Sequence, residues 1–229
     1  MELYLFLVIS LNYLKTMAKK KASKKNYQHS GKSKYSRYSR NKKVETREVI
    51  QRFLIVCEGE ETEPNYFRSF RVPKDVIDVR GLGKNTTSLV KEALKIMKED
   101  GDYNQVWCVF DRDSFPVKNF NQAITDAKNN NIKVAYSNEA FEIWYLLHFE
   151  YRDTAMSRKD YKKALTEKLN KKYEKNSNKM YEILENKQPQ AIKNAEKLLE
   201  QHNPPNPVND NPSTTVHLLV KQLNKFVRP

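Results

Sequence analysis

The chain has 229 residues and a mass of 27.0 kDa, which suits one domain with an appendage. Apolar residues make up 38% of the sequence, enough to build a core, and this argues against disorder along the whole length. Only two cysteines occur, Cys57 and Cys108, both in apolar segments. They exclude a disulfide framework and a cysteine-based zinc site, and they suit the cytoplasm.

The formal net charge of +14 is concentrated near the amino terminus. Residues 17–52 contain 13 Lys and Arg residues, and Glu45 and Glu48 are the acids among them. We therefore expect residues 1–48 to form a disordered, non-globular basic tail. Two interpretations stand for this tail: a solubilising segment, or an arm that contacts nucleic-acid phosphates.

Residues 1–16 have a different character from the rest of the tail. Their apolar run, residues 3–11, is too short to cross a membrane, so no stable membrane insertion is expected. We interpret residues 1–16 as a mis-annotated, over-extended start before Met17, with a short interfacial anchor as the alternative.

Alternating strand and helix patterns follow from Val49. Short apolar runs at residues 53–57, 76–79, 105–110 and 132–136 predict buried strands. Helical patterns lie between them, the first opening at Thr62, which is a candidate helix cap. The βαβαβαβ order predicts an α/β domain over residues 49–150, with a central parallel-type sheet flanked by helices.

The alternation stops after the fourth predicted strand. Residues 139–150 predict a helix that is apolar almost all round and therefore buried. Polar helices are expected over residues 158–186, another helix over 190–201, a proline-rich connector over 202–212, and a last helix capped by residues 213–215. We predict that residues 151–229 form a helical extension packed on the same domain.

Carboxylates follow two of the predicted strands. Glu58 and Gly59 come after the first strand, and Asp111 and Asp113 come at the end of the third. Strand side chains alternate, so both aspartates point to one face. If the two strands are neighbours, three carboxylates converge where parallel sheets bind ligands. Such a group favours Mg²⁺ or Mn²⁺, so Glu58, Asp111 and Asp113 are predicted metal ligands.

This pair of acidic motifs resembles the Toprim domain, the metal-dependent module of topoisomerases, primases and OLD-family nucleases. Four longer segments are similar to the RloB-like proteins: residues 57–67, 109–113, 137–149 and 211–216. The resemblance implies a Toprim-like fold, a link to phage defence and abortive infection, and an ABC/AAA-type ATPase encoded nearby. It also matches Glu58, Asp111 and Asp113 to the Toprim acids. Those nucleases usually carry a second acid four residues after the first, where this chain has Thr62, and Glu63 is the candidate substitute ligand.

Three further features are candidates for a role in the site. Glu142 lies in the predicted buried helix, where an ionised carboxylate is costly without a partner, so it is either a salt-bridge residue or a catalytic residue near the metal. Lys84 follows a glycine turn and is a candidate phosphate contact, although the spacing of that turn excludes a Walker A motif. Seven lysines between Lys162 and Lys179 form either a solvated helix face or one wall of a nucleic-acid groove.

Together with the acidic motifs, the resemblance implies a cytoplasmic, magnesium-dependent nuclease that is the effector of an antiviral defence pair. Glu58 is the candidate general acid or base, and Asp111 and Asp113 are the candidate ligands. The expected partners are nucleic acid, either DNA or RNA, and the ATPase, and a homo-oligomer is possible. Two alternatives stay open: a non-catalytic adaptor that binds nucleic acid or the ribosome, and a primase-type nucleotidyl-transfer enzyme.

Overall fold

The computed structural model describes residues 51–112 and 116–228. The predicted basic tail and Asp113 lie outside these described residues.

A mostly parallel sheet forms the centre of the described part of the chain. Its strands are β1 (Phe53–Cys57), β2 (Ile77–Gly81), β3 (Gln105–Asp111), β4 (Lys133–Asn138) and β5 (Ser213–Thr214), in the order β2-β1-β3-β4-β5. The first four strands run parallel to one another, and β5 is antiparallel to β4. The predicted α/β fold with a central parallel-type sheet is therefore confirmed.

Helices cover the sheet and continue to the carboxyl terminus. They are α1 (Thr62–Arg68), α2 (Thr86–Asp100), α3 (Val117–Asn129), α4 (Glu142–Leu147), α5 (Arg158–Leu169), α6 (Met180–Leu184), α7 (Gln188–Glu200) and α8 (Val216–Leu223). Among the described residues, no helix has the length and apolar character needed to cross a membrane.

The sheet has an apolar cluster on each face, because alternate residues of each strand point to opposite sides. Phe53, Ile55 and Cys57 of β1 point into one cluster, which also contains α1, α4 and α7. Leu54 and Val56 point into the other, against α2 and α3. The first cluster contains residues from both sides of the boundary that we predicted at residue 150, and that boundary stays a prediction.

Two predicted segments have different structures from those expected. Helix α4 begins at Glu142 rather than at residue 139, because β4 continues to Asn138, where it pairs with Ser213 of β5. Ser213 and Thr214 therefore form a strand, and Thr215, the residue before α8, does not cap the helix through its side chain. Instead, Oγ1 of Thr214 accepts a hydrogen bond from the N–H of Val216 at 3.2 Å.

The lysine-rich segment is only partly helical. Helix α5 ends at Leu169, and Asn170 has a φ of 52°, a left-handed conformation that asparagine tolerates and that stops a helix. Residues 170–179, which we call the lysine loop, join α5 to α6 without regular structure. Thr62 does not cap α1 through its side chain, since its hydroxyl group lies against this loop.

Candidate functional site

The structure brings Glu58 and Asp111 together at the carboxyl ends of β1 and β3. These strands are neighbours, and the backbone N–H of Glu58 donates to the carbonyl oxygen of Val109 at 2.9 Å. The backbone N–H of Asp111 donates in turn to Oε2 of Glu58 at 3.2 Å. The Thr86 hydroxyl at the start of α2 donates to Oε1 at 3.2 Å. Both carboxylate oxygens of Glu58 are thus held in place by the ends of neighbouring elements.

Asp111 lies in a recessed and negatively charged environment. Its side chain is 13% exposed, and Nη2 of Arg158 lies 3.7 Å from its Oδ2. Burial raises the pKa of the Asp111 carboxyl well above its usual range, and the negative charges of Glu63 and Glu142 add to the rise. Arg158 and a hydrogen bond from the backbone of Phe141 oppose it. Asp113, the other predicted ligand on this strand end, lies outside the described residues.

Glu63, the candidate substitute ligand, is buried with incomplete hydrogen bonding. It lies in the first turn of α1, is 7% exposed, and its Oε2 has no hydrogen-bond partner among the described residues. Burial raises the pKa of the Glu63 carboxyl, a backbone hydrogen bond opposes that rise, and Glu142 adds to it. A buried carboxylate oxygen without a donor is costly, so it is a position where a cation or a protonated ligand group would be favoured.

Gly59 makes this position of Glu63 possible. A Cβ atom on Gly59 would stand 2.1 Å from Oε2 of Glu63, well inside van der Waals contact. The glycine after the first acid is therefore needed for space, because the Glu63 carboxylate packs directly against its Cα.

Glu142 is buried as the sequence predicts, with 8% exposure at the start of α4. The hydroxyl group of Tyr173, in the lysine loop, donates to Oε1 of Glu142 at 3.2 Å. Burial and the adjacent carboxylate raise the pKa of the Tyr173 hydroxyl. Among the described residues, no Lys or Arg nitrogen lies within ion-pair distance of Glu142, so the salt-bridge interpretation finds no partner there.

A pocket of about 330 Å³ opens onto these groups. Its charged lining residues are the acids Glu58, Glu63 and Asp111 and the cations Lys84, Arg158 and Lys175. Lys84 is exposed, and its Nζ pairs with Oε2 of Glu92 at 2.6 Å, so its role as a phosphate contact stays a prediction. Among the described residues, three acidic and three basic side chains thus line the pocket, a combination that can bind a cation together with an anionic ligand.

Sequence reasoning missed Arg158 and Lys175 as individual site residues. Arg158 is the first residue of α5, and Lys175 lies in the lysine loop, both far along the chain from the acidic motifs. For Lys175, the sequence offered only the run of lysines between Lys162 and Lys179, and that run did not distinguish Lys175 from the others.

The pocket offers carboxylate oxygens as metal ligands, but the described side chains do not form a ready-made metal site. Within residues 51–112 and 116–228, no group of three or more His, Cys, Asp or Glu side chains has the arrangement of a metal site. His148 is buried, with Nδ1 2.8 Å from the carbonyl oxygen of Trp144.

Comparison with known proteins identifies the family of this chain. The family described as RloB-like protein matches residues 53–223, which include all of the site residues described above. No curated protein and no solved structure matches the chain at a significant level. The family match covers most of the sequence, and the chain belongs to the RloB-like protein family.

Proposed function

We propose that this RloB-like protein is a metal-dependent nuclease that hydrolyses phosphodiester bonds of nucleic acid. The proposal depends above all on the contact between Glu58 and the backbone of Asp111, which assembles acids from two strands at one sheet edge. The pKa values of the Asp111 and Glu63 carboxyls are raised in an open pocket, a combination typical of functional sites.

The donor groups fit a hard divalent cation. The carboxylates of Glu58 and Asp111 are oxygen ligands of the kind that Mg²⁺ and Mn²⁺ prefer. Oε2 of Glu63, which has no hydrogen-bond partner within residues 51–112 and 116–228, could add a third. We propose that Glu58, Asp111 and Asp113 hold the ion, with Glu63 as a further ligand. A cation bound there would lower the pKa of a bound water and neutralise charge on the phosphoryl group.

The protein's own groups then orient the reaction. Hydrogen bonds from the Asp111 backbone and the Thr86 hydroxyl fix both oxygens of Glu58, which suits a general acid or base that must hold one position. Arg158 offers a positive charge beside Asp111, where a phosphate oxygen would arrive. Glu142 is fixed by Tyr173 behind these groups and is proposed to position the pocket wall.

We also propose the biological setting that the family resemblance suggests. In that setting the protein is a cytoplasmic effector of an anti-phage defence system, paired with an ABC/AAA-type ATPase, and its catalytic domain is Toprim-like. The support is the family membership together with the acids at the sheet edge that the Toprim resemblance predicts.

A cleavage assay with matched variants tests the nuclease proposal. Labelled single-stranded RNA and DNA are incubated with the full chain and Mg²⁺, and with Asp111→Asn and Asp75→Asn. Asp75 is exposed and outside the pocket, so it controls for the loss of one carboxylate charge.

Shortened products from the wild type and from Asp75→Asn, but not from Asp111→Asn, support the nuclease. Binding without cleavage in all three proteins favours the adaptor. Longer products when nucleotides and a template are supplied favour the primase-type enzyme.

A further inference from the structure

Lys175 is the lysine of the lysine loop that reaches the carboxylate pocket. It lines that pocket together with Glu58, Glu63 and Asp111. Lys171, Lys172 and Lys179 of the same loop instead line a neighbouring cavity of about 900 Å³. Among the described residues, the Lys175 ammonium forms no hydrogen bond or ion pair, although its positive charge opposes the rise in the pKa of Glu63.

The backbone on both sides of Lys175 is held by groups of the site itself. On one side, Tyr173 is buried, its hydroxyl donates to Glu142, and its N–H donates to Oγ1 of Thr166 at 3.1 Å. At Lys175, the Thr62 hydroxyl lies 3.1 Å from the carbonyl oxygen. A lysine on an ordinary mobile surface loop would not have buried anchors of this kind.

Helix α1, which carries Thr62, also holds the backbone that follows Lys175. Oγ1 of Thr62 also lies 3.1 Å from Oδ1 of Asn176, and Nδ2 of Asn65 donates to the carbonyl oxygen of Asn176 at 3.2 Å. Helix α1 thus holds Lys175 and its neighbour against the pocket, from positions 110 or more residues earlier in the chain.

Thr62 stands where Toprim nucleases usually carry their second acid. In this chain the side chain at that position fixes the backbone of a lysine instead of supplying a carboxylate.

We propose, building on the nuclease function above, that Lys175 is a phosphate-binding residue of the pocket and that Thr62 positions it. The ligand is a phosphodiester of a nucleic-acid strand, and the Lys175 ammonium binds one of its non-bridging oxygens. The preference for Lys175 over Lys84 follows from the pairing of Lys84 with Glu92.

Binding of a fluorescein-labelled single-stranded oligonucleotide, followed by anisotropy in EDTA across a range of KCl concentrations, tests the proposal. Lys175→Met is expected to weaken binding roughly tenfold or more, since a charge-assisted contact is lost. The slope of log K against log salt should fall by about 0.7, the value for one phosphate contact on a single strand. Lys172→Met is the matched control and should change affinity less than threefold, and Lys175→Arg should retain most of the affinity.

Thr62→Val tests the positioning role, since it removes the hydroxyl and keeps the shape. Thr62→Val should weaken binding in the wild-type protein but should have no further effect in Lys175→Met, because Thr62 is proposed to act only by positioning Lys175. Equal losses for Lys172→Met and Lys175→Met, or no loss for either, would overturn the proposal.

The outcomes also separate this proposal from the nuclease itself. Cleavage that is intact in Lys175→Met, with unchanged binding, refutes the phosphate site and leaves the nuclease standing. Binding that depends on Lys175 without cleavage by the wild type supports the phosphate site and refutes the nuclease.

Discussion

Replacing Asp111 with Asn should stabilise the fold while it removes activity. Burial and the charges of Glu63 and Glu142 raise the pKa of Asp111, so the ionised form is disfavoured in the native state. Asparagine has nearly the same shape, can still accept the hydrogen bond from the Phe141 backbone, and carries no charge. The acidic site is thus predicted to be held at a cost to stability.

The magnitude follows from the shift in pKa. Each unit by which folding raises the pKa of Asp111 destabilises the ionised native protein by about 1.4 kcal/mol. The net rise already includes the opposing positive charge of Arg158, whose side chain is 43% exposed, so the ion pair needs no separate correction. We expect a net gain of about 1 kcal/mol or more at pH 8, or roughly 2–4 °C in melting temperature for a chain of this size.

The sign depends on pH in a defined way. Below about pH 3 the carboxyl is protonated in both the native and the unfolded state, and the wild type and the variant should be equally stable. As the pH rises, the unfolded chain ionises first, so the wild type progressively loses stability relative to Asp111→Asn until the pH exceeds the native pKa.

Urea unfolding in EDTA at pH 4.5 and pH 8, followed by tryptophan fluorescence, measures this difference. An Asp111→Asn protein that is less stable than the wild type at pH 8, or a difference that does not change with pH, would refute the reasoning.

Other predictions concern two glycines and two histidines. Gly59→Ala should displace the Glu63 carboxylate. Because that carboxylate is at the end of a flexible side chain, the free energy of unfolding should change by less than about 1 kcal/mol, while the proposed nuclease activity falls. Unfolding and cleavage assays measure these two effects. Gly81→Ala should lose about 1–3 kcal/mol in the same unfolding assay, because its Cβ would stand 2.7 Å from backbone oxygens that cannot move alone. Burial lowers the pKa of His148 and of His217 to about 4. Keeping each imidazole neutral therefore stabilises the fold fully above about pH 6.5, and this contribution is lost as the pH falls towards 4. We expect the free energy of unfolding to fall by about 2–3 kcal/mol per histidine at pH 4.5. A free energy of unfolding that stays constant between about pH 7.5 and 4.5 would contradict this prediction.

Much of the sheet and part of the site could be predicted because their signals are local. The run of residues 53–57 is apolar at every position, and all five side chains are buried in the sheet. Glu58 follows that strand directly, and Asp111 ends another, so the geometry of a parallel sheet brings them to one edge. The burial of Glu142 followed from the apolar helix around it.

The parts that could not be predicted depend on contacts between distant segments. Strand β5 consists of Ser213 and Thr214, which have no apolar pattern, and it forms because it pairs with the end of β4. The contact between Thr62 and Lys175 joins residues 113 positions apart, so no local sequence pattern indicates it. The same contact explains why Thr62, which resembles a helix cap by its position before Pro64, does not act as one.

A crystal structure of the chain with Mn²⁺ is the most direct test of the central claim, that the acids at this sheet edge hold a divalent cation. We predict an anomalous difference peak in contact with the carboxylates of Glu58 and Asp111, and its loss in Asp111→Asn. The absence of a peak there in wild-type crystals, at a Mn²⁺ concentration that supports cleavage, would contradict the account.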